Sequence, residues 1–249
     1  MLIVCNGAFK SGSTWLYNIV RELTGGDAPP AEYLNPAWRH PSIDSAKLAA
    51  LLAALKPSDC FVVKNHFNTR EQRDALLAHP DVRVLNITRD LRDMIVSSYY
   101  HVRRVKGYDG DFARYYWETG RATMLSVDRY HRLWRMRSPH VYTASYERLH
   151  ADFTGQVREI AAFLGVKTTD EQLAQLRGET SLDALRQRYG EAESGDKFFR
   201  KGVVGDWQNH LTPEIIDDID QSLRRQARTA SLPYRIFRRI KRLLKVSSS

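Results

Sequence analysis

The feature that most constrains the fold is a short apolar run at residues 2–5, which leads into a turn of glycine, serine and threonine within residues 9–16. Apolar side chains at helical spacing follow the turn and stop at Gly25 and Gly26. A buried strand that enters a helix through such a turn predicts an anion cradle, because backbone N–H groups and the positive end of the helix dipole converge there. Phosphate is the usual occupant.

The turn nearly matches the Walker A pattern G-x-x-x-x-G-K-[ST]. Gly7 and Gly12 have the required spacing, and Thr14 stands in the final position. Ser13 occupies the place of the required lysine, and the nearest lysine is Lys10, three residues earlier. The turn alone is also compatible with an ordinary loop, so other segments must distinguish the two interpretations.

The composition is that of one globular domain. The 249 residues, 43% of them hydrophobic, suffice for a single α/β domain with a substantial core. Cys5 and Cys60 lie in or beside apolar runs, which favours buried free thiols in a reducing compartment over a disulfide or a zinc site. No apolar stretch approaches the roughly 20 residues of a membrane span, and a strand beginning at Leu2 leaves no room for a leader. We therefore expect a cytoplasmic protein.

The net charge of +9 arises at the C-terminal end. Nine basic residues and no acidic residue follow Asp220, and the 29 basic residues before that point equal the 29 acidic residues of the chain. A formally neutral main domain argues against a nucleic-acid partner. Residues 233–246 place apolar and basic side chains on different helical faces, a pattern typical of a helix on an anionic membrane. Packing of the apolar face on the domain or on a second subunit is equally compatible.

Strand patterns alternate with helical patterns along the chain. The predicted strands cover residues 2–5, 60–64, 82–88 and 141–146, and a capping box at residues 168–171 predicts a late helix. This order predicts an α/β fold with a mostly parallel central sheet flanked by helices in a single domain. Ligands in such folds bind at the carboxyl ends of the strands. Every predicted strand is followed there by polar residues: Lys10, Lys64 with His66, Arg89, and Tyr146.

Four segments, in chain order, resemble the cytosolic sulfotransferase family, whose fold is P-loop NTPase-like. Residues 9–15 (FKSGSTW) resemble its 5′-phosphosulfate loop, which has the lysine in this early position, and residues 64–66 (KNH) resemble its K-T-H segment. Residues 89–101 resemble its 3′-phosphate-binding segment, and residues 200–207 (RKGVVGDW) its late R-K-G-x-x-G-D-W signature. The resemblance implies a sulfotransferase domain at residues 1–220 and a basic amphipathic tail at residues 221–249.

The resemblance implies transfer of a sulfuryl group from 3′-phosphoadenosine 5′-phosphosulfate (PAPS) to a hydroxyl or amine, with adenosine 3′,5′-bisphosphate (PAP) as product. In-line transfer of this kind depends on positioning and charge stabilisation. A sulfuryl group carries less negative charge than a terminal phosphoryl group, so a lysine can replace magnesium and no metal is required. Lys10 would neutralise the oxygen that bridges the donor and the leaving group.

The resemblance also implies roles for individual residues. His66 would be the general base, with an unperturbed pKa near the working pH, and Lys64 would hold the sulfuryl group or the 5′-phosphate. Trp15 would stack on adenine, which Tyr146 and Thr180 would also contact. The 5′-phosphate would bind N–H and hydroxyl donors of the loop: Ser11, Gly12, Ser13 and Thr14.

The 3′-phosphate would be held by two separate segments. Arg89 and Ser97 stand eight residues apart, so a strand-end arginine and a serine two turns into the next helix can meet on one phosphate. Arg200, Lys201 and the Gly202 amide would close over the same group.

The chain departs from the family pattern at several positions. Asn65 replaces the usual threonine, and Leu182 stands where the family tends to have a phenylalanine on the adenine. Three of the four fixed positions of the family's dimer motif are changed, so the oligomeric state stays open; the motif aligns with Gln208, Thr212, Pro213 and Asp217.

Three alternatives remain: a P-loop kinase or NTPase, a non-catalytic nucleotide- or membrane-binding module, and a family member without activity. The first requires magnesium and a lysine at position 13, and the second predicts basic residues spread over the domain. The acceptor is not specified by any motif, and carbohydrate, lipid-linked glycan, phenol and peptide tyrosine all stay open. We expect its determinants in residues 27–42, 103–116 and 189–199.

Overall fold

A computed structural model describes residues 1–190 and 201–231 of the chain. The predicted phosphate contact of Arg200 and the amphipathic segment at residues 233–246 lie outside this part. The central sheet has four strands, β1 (Leu2–Gly7), β2 (Phe61–Asn65), β3 (Val82–Thr88) and β4 (Val141–Ser145), in the order β2-β1-β3-β4. All three pairings are parallel, and Cys5 lies between Lys64 and Leu85 in register. The predicted α/β fold is confirmed.

Helices cover both faces of the sheet, as right-handed crossovers between parallel strands require. In the described residues they are α1 (Ser13–Thr24), α2 (Leu48–Ala54), α3 (Arg70–Leu77), α4 (Leu91–Lys106), α5 (Phe112–Tyr115), α6 (Arg121–Trp134), α7 (Tyr146–Ala151), α8 (Phe153–Leu164), α9 (Asp170–Glu179), α10 (Leu182–Arg188) and α11 (Pro213–Ser231). A π-helical turn, Tyr116–Gly120, joins α5 to α6. None of these described helices is long and apolar enough to cross a membrane.

The six residues of β1 are all buried, and they alternate between two hydrophobic cores. Leu2 and Val4 belong to the core formed with the helices α2 to α6 and α11, whereas Ile3 and Cys5 belong to the core formed with α1, α7, α8 and α9. Because β1 is central and apolar on both faces, its carboxyl end is held rigidly, and this end carries the loop that leads into α1.

Four details differ from the sequence predictions. Tyr146 does not end a strand but is the first residue of α7, which Ser145 caps by accepting the N–H of Arg148. The capping box of α9 consists of Thr169 and Gln172, one residue later than predicted, because Gln172 binds back to the Thr169 amide. The short helices α7 and α10 were not predicted at all. The helix predicted over residues 112–136 is divided by the π-helical turn.

Candidate active site at the carboxyl edge of the sheet

The loop between β1 and α1 has a backbone that few residues can adopt. Gly12 has φ +97°, and a Cβ atom there would lie 2.6 Å from the Tyr146 ring, so only glycine fits. Lys10 is the one non-glycine residue in the described chain with positive φ, at +63°. A left-handed lysine is uncommon, and such strain is often found at functional sites.

No side chain forms a capping hydrogen bond at the N-terminus of α1 in the described part of the chain. Asp90, Ser145, Asp152 and Thr169 each accept a backbone N–H at the start of α4, α7, α8 and α9, but no side chain caps α1. The first N–H groups of a helix need an acceptor. Those of α1, at the end of β1, are placed where a bound anion could accept them.

The loop serines divide into two kinds. Ser11 is fully buried, and both its amide and its hydroxyl donate to the Ala8 carbonyl, at 3.1 and 2.7 Å. The two groups of Ser11 that were predicted to face a phosphate are thus bonded within the loop in this structure. Ser13 and Thr14 instead line the adjoining cleft.

This cleft, which we call the loop cleft, has a cavity volume of about 370 Å³. It brings together residues at the ends of the four strands with residues from α4 and from later parts of the chain. The predicted site residues that line it are Lys10, Gly12, Ser13, Thr14, Trp15, Lys64, His66, Arg89, Ser97, Tyr146, Thr180, Lys201 and Gly202.

Lys64 and His66 lie at the end of β2, on one side of the loop cleft. The His66 Nδ1 atom is 2.5 Å from the Gly7 carbonyl oxygen, so Nδ1 carries the proton and Nε2 has the free lone pair. Burial, with a smaller contribution from Lys64, lowers the pKa of His66 to about 4. Burial also lowers the pKa of Lys64 to about 8. The expectation of an unperturbed pKa for His66 is therefore wrong, and the cause is desolvation of the imidazolium.

Arg89, just after β3, connects three parts of the site. Its guanidinium lies 4.1 Å from the centroid of the Tyr146 ring. It also donates to the carbonyls of Lys10 and Val203, at 3.4 and 3.2 Å. The orientation of Arg89 therefore depends on both the loop and the segment that follows residue 200.

That segment is fixed by an acid which the sequence reasoning missed. The Asp93 carboxylate is 1% exposed and accepts the N–H groups of Gly205 and Trp207, at 2.7 and 3.0 Å. Asp93 stands four residues after Arg89 and four residues before Ser97. This helical spacing was the signal in the sequence that could have placed Asp93 near the two predicted phosphate contacts. Lys201 lies at the cleft and pairs with Asp206 at 3.0 Å.

The other end of the loop cleft is aromatic and apolar. Trp15 packs against Tyr146, His150 and Phe153, with ring centroids 4.8 to 6.2 Å apart. Leu182 also lines the cleft and lies against Gly202, where an added Cβ would be 3.1 Å away. Thr180 lines the same end, but its hydroxyl donates to the Leu176 carbonyl.

Among the described residues no group of three His, Cys, Asp or Glu side chains could hold a metal ion. A parallel sheet with an uncapped helix N-terminus, a cluster of lysine and arginine side chains and a buried histidine is an arrangement suited to the transfer of an anionic group. The family model described as the sulfotransferase domain matches residues 2–231, and the chain belongs to this family. The resemblance inferred from the four segments is confirmed.

Relatives and solved structures agree with this membership. The chain is 26% identical to sulfotransferase 1C2 of Homo sapiens, over 94% of this chain and 85% of that protein. It is 25% identical to cytosolic sulfotransferase 10 of Arabidopsis thaliana, over 93% and 80%. The fold matches mouse sulfotransferase SULT7A1, solved in complex with PAP, with a TM-score of 0.69, 18% identity and coverage of 99% of this chain and 88% of that one. A retinol dehydratase solved with androsterone and PAP matches with a TM-score of 0.65 and 19% identity, over 94% and 82%.

Proposed function

We propose that this sulfotransferase moves a sulfuryl group from PAPS to an acceptor hydroxyl by in-line displacement, with His66 as general base. An amine could take the place of the hydroxyl as the acceptor group. The observation that carries the proposal is the contact between His66 Nδ1 and the Gly7 carbonyl oxygen. The Nδ1–H of His66 is committed to the Gly7 carbonyl, so the basic Nε2 belongs to a side chain that lines the loop cleft together with Lys10 and Lys64. A neutral imidazole with a free lone pair can accept a proton.

The loop cleft has the chemical features that PAPS requires. Its aromatic end suits adenine, for which Trp15 and Tyr146 would supply the ring contacts, with Thr180 beside them. Two buried nitrogen atoms, Trp15 Nε1 and Arg89 Nε, have no hydrogen-bond partner among the described residues and could bind ligand acceptors. PAP in the solved structures of SULT7A1 and retinol dehydratase supports the same donor here.

The phosphates of the donor would be held at two places. The backbone N–H groups at the start of α1 and the hydroxyls of Ser13 and Thr14 would bind the 5′-phosphate. Arg89, Ser97, Lys201 and Gly202 would bind the 3′-phosphate, together with Arg200, which lies outside the described residues.

Each catalytic group has one task. When bound, the donor supplies the sulfuryl group, and PAP leaves as the product. His66 takes the hydroxyl proton as the acceptor oxygen attacks sulfur. Lys10 stabilises the charge that develops on the oxygen of the breaking bond, and Lys64 stabilises the sulfuryl oxygens. The negative charge of the donor would also raise the pKa of His66 from its low value.

Replacement of His66 tests the base assignment. We expect His66→Ala and His66→Asn to lose at least about 100-fold in kcat, the usual contribution of general-base catalysis, while PAP binds as before. Arg177→Gln on the exposed surface of α9 is the control for nonspecific effects. Undiminished turnover of a labelled donor in both His66 variants would remove His66 as the base.

A kinase or NTPase is the second candidate, because the loop resembles Walker A. Ser13 in place of the required lysine argues against it. Magnesium-dependent phosphoryl transfer by the purified enzyme would favour that candidate over ours.

We also propose a cytoplasmic enzyme that the basic tail brings to an anionic membrane, with a carbohydrate or lipid-linked glycan among its acceptors. The support is the amphipathic pattern of residues 233–246 in the sequence. A chain ending near Ala230 should bind anionic vesicles more weakly than the full chain. Equal binding by the two chains would contradict the proposal.

A further inference from the structure

A second cleft opens on the other side of His66. We call it the arginine cleft; its cavity volume is about 570 Å³, and it lies between α3 and α6. Phe9 and His66 line both this cleft and the loop cleft, so the two meet at the proposed base. The cleft lies outside the three segments in which the sequence analysis placed the acceptor determinants.

The lining of the arginine cleft is strongly cationic. Four arginines line it and no acidic residue does; they are Arg70, Arg73, Arg129 and Arg132. Two of them have carboxylate partners outside the lining, since Arg73 pairs with Asp74 and Arg132 with Asp128. Among the described residues, Arg70 and Arg129 form no ion pair with a carboxylate; Arg129 Nη1 lies 3.5 Å from the Gln226 side-chain oxygen.

The two walls of the arginine cleft are held together by hydrogen bonds. Arg73 Nη1 donates to the Leu133 carbonyl at 3.2 Å, which joins α3 to the end of α6. The buried Trp134 indole N–H donates to the Phe67 carbonyl at 2.9 Å, next to His66. The backbones of α3 and α6, which carry the four arginines, are therefore joined to each other and to the segment next to His66.

We propose that the acceptor is a hydroxyl compound that also carries at least one anionic group, a carboxylate or a sulfate or phosphate ester. This inference rests on the proposed function, and it names the class of acceptor. The anionic group would bind Arg70 and Arg129 in the arginine cleft, and the hydroxyl would reach His66 where the two clefts meet. Guanidinium groups bind such oxyanions in a bidentate manner. A neutral acceptor could not form these ion pairs with Arg70 and Arg129.

The test uses pairs of probes that differ by one negative charge and one methyl group. Direct binding to the PAP-loaded enzyme is measured by calorimetry for p-hydroxyphenylacetate and glucuronosyl-N-acetylglucosamine, each against its own methyl ester. PAP fills the loop cleft, so a carboxylate bound there does not contribute. We expect each acid to bind about tenfold more tightly than its ester, and the preference to weaken with rising salt.

The variants assign this preference to the arginine cleft. Arg70→Gln/Arg129→Gln should reduce the acid-to-ester ratio by about fivefold or more, the effect of losing two exposed charge contacts. Arg177→Gln, which removes an exposed arginine from α9, should leave the ratio unchanged.

The outcomes separate this inference from the donor assignment. Failure of the wild-type enzyme to bind PAP would refute the proposed donor site and the inference with it. PAP binding with equal affinity for acid and ester, or a preference that survives in the double variant, would overturn the anionic acceptor alone.

Discussion

Asp93→Asn isolates the contribution of one buried carboxylate to the donor site. Asp93 does not line the loop cleft, but it accepts the N–H groups of Gly205 and Trp207 at 2.7 and 3.0 Å. These two bonds hold the segment that carries Lys201 and Gly202 to the cleft. Asparagine has nearly the same shape, so the core around α4 should keep its packing.

The magnitude follows from the number of acceptors. The carboxylate uses one oxygen for each N–H group. The asparagine amide offers a single oxygen, so one N–H would face an NH2 donor at a site that is 1% exposed. Loss of a hydrogen bond to a buried charged group costs about 1.5–3 kcal/mol. If the segment undocks, PAP affinity falls with the docked fraction, by up to roughly 10- to 100-fold.

Two measurements follow the effect. Calorimetry gives the PAP affinity, and amide hydrogen exchange reports whether Gly205 and Trp207 lose protection without PAP. Asp183→Asn is the matched control, because its side chain is 84% exposed and pairs only locally with Arg186. Lost protection at Gly205 with unchanged PAP affinity would refute the proposal that this segment binds the donor.

Three further changes test the loop and the base. Gly12→Ala should destabilise the protein by about 1–3 kcal/mol in chemical denaturation and abolish PAP binding, because φ is +97° and the new Cβ would lie 2.6 Å from the Tyr146 ring. Gly178→Ala is the control: its new Cβ would meet no atom within 4 Å, so this variant should be as stable as the wild type or more stable. Lys10→Ala should lower kcat by roughly 10²–10³-fold, and a chelator should leave wild-type turnover unchanged; strong inhibition by EDTA would contradict a lysine in place of a metal. The pKa of His66 falls from 6.5 to about 4 on folding, so unfolded chains take up the proton first and stability drops as the pH falls from 6.5 towards 4. His66→Asn should reduce the loss of unfolding free energy between pH 7 and pH 5 by about 2 kcal/mol, and an unchanged pH dependence would refute the buried neutral imidazole.

The sheet was predictable because its signals are local. The apolar runs that form β1, β2, β3 and β4 are each followed by polar residues, and a parallel sheet brings such residues to one edge whatever the strand order. The convergence of Lys10, Lys64, His66 and Arg89 on the loop cleft follows from this rule. The strand order itself has no local signal and was not predicted.

The remaining features depend on tertiary contacts. From the sequence, the hydroxyl of Ser11 could face either a ligand or the interior of the loop. The folded loop brings this hydroxyl to the Ala8 carbonyl, and the sequence does not reveal that contact. The pKa of His66 depends on burial that its neighbours in sequence do not reveal. The arginine cleft joins residues from α3 and α6 that are more than 50 positions apart, so no motif in the sequence could show it.

Burial lowers the pKa of both Lys64 and His66, and an anion bound beside them would oppose this effect. Burial removes water from both groups, and in His66 the nearby charge of Lys64 lowers the pKa further. A bound anion reverses both effects, because it favours the charged forms of lysine and histidine alike. Under the proposed function, the anionic donor would therefore keep Lys64 charged beside the sulfuryl group and would make His66 a stronger base. In that case the base strength of His66 would depend on the presence of the donor, because desolvation keeps the pKa of His66 low without a neighbouring negative charge.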